Sequence, residues 1–413
     1  MTQAAAARCS VIVVSRHRPQ HLTRCLAGIS QLDHPDFEVI VVADTAGLAA
    51  TGALPVKRVA FDQANISAAR NAGLAAAAGA VVTFIDDDAV PEPTWLTRLC
   101  APFGDAAVVA AAGFVRGRNG LSFQWKARTA DALGQSVALN VNETATTLHR
   151  GQPGRAIRTE GTNCAFRRDV LAQMGGFDPA FRFFLDETDV NLRLAASGQI
   201  TAIVPGAQVH HGFAPSAIRA PDRAPRDLHE IGASAAVFWR KHAAPGMDLS
   251  LAERRLIASE RARLIRHMIG GGLEPREVPQ ILHSLHDGLA QGRMRPLNTL
   301  PPLPEPTSPF LRFPATARPG RVISGRIWQA RALRRAATRA AAEGAIVTLI
   351  LLEPSARPHR MRFDPAGYWE QRGGIWGPAD RQEPLLRMIG FGARIRQETA
   401  RIAALRPVGA EPA

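Results

Sequence analysis

Tyrosine is all but missing from this sequence, which holds one among 413 residues, and aromatic residues together make up only 6%. That scarcity argues against a surface that stacks the bases of single-stranded nucleic acid. No helix-turn-helix, zinc-finger or RNA-binding aromatic signature is evident either, so no nucleic-acid partner is expected. The four cysteines, Cys9, Cys25, Cys100 and Cys164, are scattered with no Cys-x-x-Cys pair. Neither a structural zinc site nor a disulfide framework is therefore expected, and a reducing cytosol fits. No apolar run approaches the roughly 20 residues of a membrane span. Met1 to Ala7 lacks the basic start and apolar run of a secretory signal. Acidic residues are in deficit: the formal charge is +14, with Arg far outnumbering Lys. That balance favours an anionic partner, such as a phosphorylated substrate or an anionic lipid surface. The length predicts two or three domains.

What is present is a string of short apolar runs separated by helical patterns. Cys9–Val14, Phe37–Val42 and Val56–Phe61 read as strands. Gln20–Ile29 has helical spacing, and Asn65–Ala78 reads as a helix with Ser67 as its cap or first residue. Val81 to Ile85 is a further buried strand. Strand–helix–strand–helix order with continuous apolar strands predicts an α/β, doubly wound, Rossmann-like sheet with ligands beyond the carboxyl ends of the strands. Ser15, Arg18, Asp44 and Asp86 to Asp88 all fall at such ends. Residues 117–155 are polar and weakly patterned, and read as a mobile substrate-side loop.

Asp86-Asp87-Asp88 carries the strongest chemical signal. Three adjacent carboxylates at a strand end, with no neighbouring Lys or Arg, are electrostatically costly without a cation. A divalent metal with oxygen ligands answers that cost and brings a phosphate-bearing ligand within reach. A solvated acidic turn is the plain alternative.

By Asp88 the chain resembles the family-2 inverting nucleotide-sugar glycosyltransferases, whose fold, called GT-A, is a doubly wound, Rossmann-like mixed sheet. The likeness is carried by Val11 to Pro19, Phe37 to Asp44, Ala69-Arg70-Asn71-Ala72-Gly73 and Phe84 to Asp88. It continues through Gly161-Thr162-Asn163, Gly175-Gly176-Phe177-Asp178 and Asp186 to Arg193, and covers about residues 8 to 215. The resemblance implies that Asp86 and Asp88, with Asp87 beside them, contact the sugar nucleotide and a Mg²⁺ or Mn²⁺ ion. His211 resembles a ligand that completes the metal site in some members, while His210 points the other way on an extended chain. Asp44 resembles the carboxylate that recognises a pyrimidine base, and Ser15 and Arg18 stand where the first loop meets the nucleotide. Arg70 and Asn71 either contact the nucleotide or secure their helix to the sheet. Asn163 joins the substrate-binding set. Glu187 stands at the position of the catalytic base, with Asp186 as the alternative, and Asp189 reads as a helix cap. Two departures stand out: Thr45 follows Asp44 where a second acid is common, and Arg16-His17 replaces a common Tyr-Asn.

The resemblance implies a metal-dependent inverting transferase moving sugar from a UDP- or dTDP-type donor to a hydroxyl acceptor, glycan or lipid-linked, in cell-surface polysaccharide or glycolipid synthesis. A nucleotidyltransferase would want a glycine-bearing phosphate loop after the first strand, and Ser15 to Pro19 has no glycine. A catalytically degenerate, transferase-like scaffold is the other alternative. The domain reading is a GT-A domain over residues 8–225, a helical extension over 226–295, a proline-rich linker over 296–319 and a small α/β or α+β module over 320–413. Arg-rich helices within 227–295 predict either a solvated face or peripheral contact with the cytoplasmic face of a membrane. Gly367 to Gly377 matches no chemistry.

Overall fold

A computed structural model describes residues 7–212, 214–306 and 308–409. The reading of Met1 to Ala7 as lacking a signal lies, Ala7 aside, outside the described residues. Among these residues the main sheet has ten strands. Eight lie in the order Thr147–Arg150, Ile200–His211, Val108–Arg116, Cys164–Arg167, Val81–Asp86, Cys9–Ser15, Phe37–Ala43 and Lys57–Ala60. The last four are mutually parallel. Alternate residues of one strand serve two helical layers. Val11 and Val13 pack with Leu22, Leu26 and Ile29 of helix Pro19–Ile29, whereas Ile12 packs with Ala69 and Leu74 of helix Ile66–Ala76. Burial on both faces is why these strands read as unbroken apolar runs. Gly73 lets its helix sit close, since a Cβ there would lie 2.5 Å from Ile12 Cγ2.

The sheet is mixed, as the resemblance implies. Cys164–Arg167 runs antiparallel to both Val81–Asp86 and Val108–Arg116. Three local expectations are corrected. Helix Ile66–Ala76 is capped by Asn65, whose Oδ1 accepts from Ala68 N at 3.0 Å; the buried Ser67 hydroxyl instead donates to Phe181 O at 2.7 Å. Residues 117–155 are not a structureless loop. They include strands Phe123–Trp125, Arg128–Asp131, Ser136–Ala138 and Thr147–Arg150, and a small second sheet joins two of these to Arg155–Arg158. Asp189 lies inside helix Asp186–Ala196, not before it, and is buried against Arg193, Lys241 and His242.

Three helices follow, His229–His242, Ser250–Ile269 and Glu277–Met294. They share a core with Phe181, Leu185 and Leu192, so they are packed onto the sheet's helical layer. No helix among the described residues is long and apolar enough to cross a membrane. The proline-rich stretch is pinned along the surface: Phe313 N donates to Phe37 O at 2.7 Å, Leu303 N donates to Ala172 O at 2.8 Å, and Phe313 is 3% exposed. Beyond it, strands Gly320–Arg326, Ile346–Glu353, Tyr368–Gly374 and Arg360–Asp364 form a four-stranded sheet with helices Ala330–Ala342 and Phe391–Ala403.

Candidate active site

The carboxyl ends of the parallel strands gather most of the candidate residues. Ser15 ends its strand and its hydroxyl donates to Asp87 Oδ2 at 2.7 Å. Arg18, in the loop that follows, places Nη2 2.5 Å from Asp87 Oδ1 and Nη1 3.8 Å from Asp88 Oδ2. Asp86 is the most exposed of the three acids. The chain turns at Asp87-Asp88 and re-enters the sheet as Ala89–Pro91, antiparallel to the end of Ile200–His211. That register pairs Ala89 with His211, and His211 Nε2 lies 3.2 Å from Asp88 Oδ1.

Asp86, Asp88 and His211 can each offer one ligand atom, all within 4.8 Å of one another. Two carboxylate oxygens and an imidazole nitrogen suit Mg²⁺ or Mn²⁺, so the residues present fit such an ion. Burial works against ionised Asp88, but the hydrogen bond and charge of His211, then Arg18, outweigh it and hold Asp88 well below the usual carboxylate range. Asp87 behaves oppositely. Burial lifts it to about 7, Arg18 opposing and the Asp88 charge adding to the rise. The segment after the last strand closes over this corner: Gly212 N donates to Asp88 O, and Ala214 N to Asp88 Oδ2, both at 2.7 Å. Arg219 Nη2 donates to Ala214 O at 2.7 Å, which adds a cation beside the acids.

The second half of the site sits on helix Asp186–Ala196. Phe184 and Leu185, at φ of 73° and 66°, turn the chain sharply before it. Asp186 and Glu187 open the helix, where its dipole favours negative charge. One guanidinium ties the two halves together: Arg70 contacts Asp186 and reaches Asp86 Oδ1 at 3.5 Å. Burial raises Asp186 to about 8, Arg70 opposing and Glu187 adding. For Glu187 burial is outweighed by Arg158 and then Arg70, so its carboxyl is held below the usual glutamate range. Arg158 thus favours the charged form of Glu187, beside the carboxyl of Asp186.

Asp44 is nearly buried and its carboxylate is engaged. It accepts from His17 N at 2.5 Å, Ala46 N at 2.9 Å and Gly47 N at 3.1 Å, capping helix Thr45–Ala50. A carboxylate has about four acceptor directions, so room for one further donor remains. Asn71 is committed to the Gly176-Phe177 turn, donating to Phe177 O at 2.7 Å and accepting from Phe177 N at 2.8 Å. Of its two readings, the structure supplies the securing contact. Asn163 is a correction. It is fully buried, accepts from Trp95 Nε1 at 2.8 Å, and donates to Phe114 O at 3.0 Å and Ala207 O at 2.9 Å. It locks strands together in the core and has no surface to offer a substrate.

Arg219 was not singled out from sequence, and neither were Arg158 and Glu160. Arg158 lies 3.4 Å from both Glu187 Oε1 and Glu160 Oε2. Burial lifts Glu160 to about 7, Arg158 opposing and Glu187 adding. The adjacency of Glu160 to Gly161-Thr162-Asn163 was the one available signal. A raised carboxyl stabilises the fold while protonated, so its contribution is complete below the ordinary value of 4.5 and is lost as pH climbs through about 7. Thermal unfolding of Glu160→Gln and wild type should therefore coincide most closely at about pH 4, below the ordinary value. By pH 8 the wild type should have lost up to about 3 kcal/mol relative to the variant. A stability difference that does not change with pH contradicts this.

The comparisons with known proteins come to bear on this geometry. Residues 6–224, more than half of the chain, match the family model described as glycosyltransferase like family 2. No curated protein matches. Among solved structures the chain is similar to GalNAc-T7 with UDP, GalNAc and Mn²⁺, at 17% identity and TM-score 0.41, over 60% of this chain and 53% of that one. It is also similar to the mannosyltransferase PcManGT from Pyrobaculum calidifontis in complex with GDP-Man and Mn²⁺, at 19% identity and TM-score 0.40, over 71% and 74% of the two chains. Residues 1–349 of S. aureus TarS match at 17% identity and TM-score 0.40, over 70% and 82%. The chain thus spans about half the length of the first of these. The family match falls on the mixed α/β sheet described above, the GT-A class of fold, and the chain belongs to the glycosyltransferase family 2-like proteins.

Proposed function

We propose that this chain is a metal-dependent inverting glycosyltransferase that moves a sugar from a nucleotide-diphosphate donor of UDP or dTDP type to a hydroxyl group. The observation that carries the reading is the convergence of Asp86, Asp88 and His211 on one point, with Arg18 beside Asp88 and Arg70 linking Asp86 to Asp186, the neighbour of Glu187. A Mg²⁺ or Mn²⁺ ion held by those three residues would neutralise charge on the leaving diphosphate. Arg18 and Arg219 would share the same phosphates as charge-assisted donors. Ser15 orients Asp87, and Asp44 has one acceptor direction left for the N–H of a pyrimidine.

Inversion is a single displacement and needs one base for the acceptor proton. Glu187, held ionised by Arg158 and Arg70, takes that role, and Asp186 fixes Arg70 between the two halves. The acceptor is a glycan or a lipid-linked glycan of cell-surface polysaccharide or glycolipid synthesis. Helix Ser250–Ile269, whose Arg254 and Arg261 border a shallow groove with Ile257 and Ile265, would meet anionic lipid from the cytoplasmic side. The test is a donor screen: nucleotide sugars incubated with the protein, with and without Mn²⁺, and release of the nucleoside diphosphate measured. One donor class should be hydrolysed slowly in a metal-dependent way. No release from any nucleotide sugar, or release indifferent to chelation, would contradict the reading.

A further inference from the structure

The strand pair that holds the metal ligands has a second face. His211 lies opposite Ala89 and His210 opposite Val90, and Glu92 N donates to Gln208 O at 3.0 Å. Side chains alternate along a strand. His211 meets Asp88, while His210 Nε2 meets Glu92 Oε1 at 2.7 Å. On that reverse face stands a residue from the far end of the chain. Arg406 grips Glu92 with two nitrogens, Nε at 2.9 Å from Oε2 and Nη2 at 2.5 Å from Oε1, across 314 residues of sequence. The Arg406 guanidinium lies 3.8 Å from the Trp369 ring centroid, and the Trp369 ring lies 4.7 Å from that of His210. Trp369 Nε1 in turn donates to Gln31 Oε1 at 3.3 Å, and Gln31 Nε2 donates to Gly367 O at 2.7 Å. Arg406, Glu92 and Trp369 are all fully buried.

We propose that Arg406 is a positioning residue for the metal site, and that residues 320–409 serve as its back wall. Its fork on Glu92, with Trp369 closing over His210, fixes the strand pair 88–92 and 208–211 whose front face carries Asp88 and His211. A planar, two-pronged contact defines an orientation that a single hydrogen bond does not. A buried pair of this kind adds little net stability, but losing one partner strands a buried charge. Groups behind metal ligands commonly alter metal affinity about 10- to 100-fold. The stretch Gly367 to Gly377, which fits no chemistry when read as sequence, thereby supplies Trp369 to the catalytic unit.

This inference rests on the metal reading above, and the test separates the two. Mn²⁺ binding to the full chain is measured by electron paramagnetic resonance of the free ion, without substrate or turnover. Wild type should bind Mn²⁺ and Asp88→Asn should not; a wild type that binds none overturns the metal reading itself. Arg406→Gln should weaken Mn²⁺ binding about 10- to 100-fold, and Arg406→Lys should fall between it and wild type. The double variant Glu92→Gln/Arg406→Gln removes both charges of the pair together, so it keeps the test open if the single variant does not fold, and it should bind as weakly. Leu349→Ala, in the core of the same module's sheet, loosens the module without touching Glu92 and should cost clearly less affinity than Arg406→Gln. Wild-type affinity in Arg406→Gln or in the double variant overturns the proposal. So does an equal loss of affinity in Leu349→Ala.

Discussion

Asp88→Asn should lower metal-dependent turnover by about a thousandfold or more, with thermal stability close to that of wild type. The side chain keeps its shape and an oxygen for the Ala214 N–H, now 2.7 Å from Asp88 Oδ2. What it loses is the charge. Asp88 is the acid held most firmly ionised at the site, with His211 and Arg18 against it. Losing an anionic ligand at a point where a cation must offset developing phosphate charge forfeits several kcal/mol, and about 4 kcal/mol is a factor of a thousand. Excess Mn²⁺ should not restore the rate. Steady-state release of nucleoside diphosphate, titrated with Mn²⁺, measures both quantities. A variant within tenfold of wild type at saturating metal would remove Asp88 from the metal site.

Glu187→Gln should reduce kcat by about 10²- to 10⁴-fold, the usual contribution of a positioned general base. Donor affinity should stay near that of wild type, because the diphosphate contacts assigned to Arg18 and Arg219 lie on the other half of the site. The amide keeps an oxygen toward Arg158, 3.4 Å from Glu187 Oε1, so the side chain need not move. The same substitution at Asp186 separates the two carboxyls. Asp186→Asn weakens the link to Arg70 and should disturb donor binding and stability together, whereas Glu187→Gln should affect kcat alone. Normal turnover by Glu187→Gln, with loss of turnover in Asp186→Asn, would reverse the assignment.

The part of this site that could be read in the sequence is the part set by local rules. Apolar runs buried on both faces announce parallel strands, and a carboxylate run at the end of one announces a charge that needs an answer. Hence Ser15, Arg18, Asp44 and Asp86 to Asp88 could be placed near one another although up to 72 residues separate hydrogen-bonded partners. The failures are of a different kind. Asn163 stands in a recognisable motif, but the motif does not say which way its side chain faces, and it faces Trp95 in the core. The residue that caps helix Ile66–Ala76 depends on one turn of geometry, and Asn65 takes the place assigned to Ser67. Arg158 follows a segment without hydrophobic period, and its link to Glu187 is purely tertiary. Arg406 carries no sequence signal at all, because its meaning comes from Glu92, a residue of the opposite end of the chain.

The most direct measurement is a crystal grown with MnCl₂ and a uridine or thymidine diphosphate, with anomalous data collected to locate manganese. The account predicts one strong peak bounded by Asp86, Asp88 and His211, with diphosphate oxygens on it and Arg18 turned toward them. A nucleotide bound elsewhere, or density at the diphosphate with no manganese between those three residues, would contradict it.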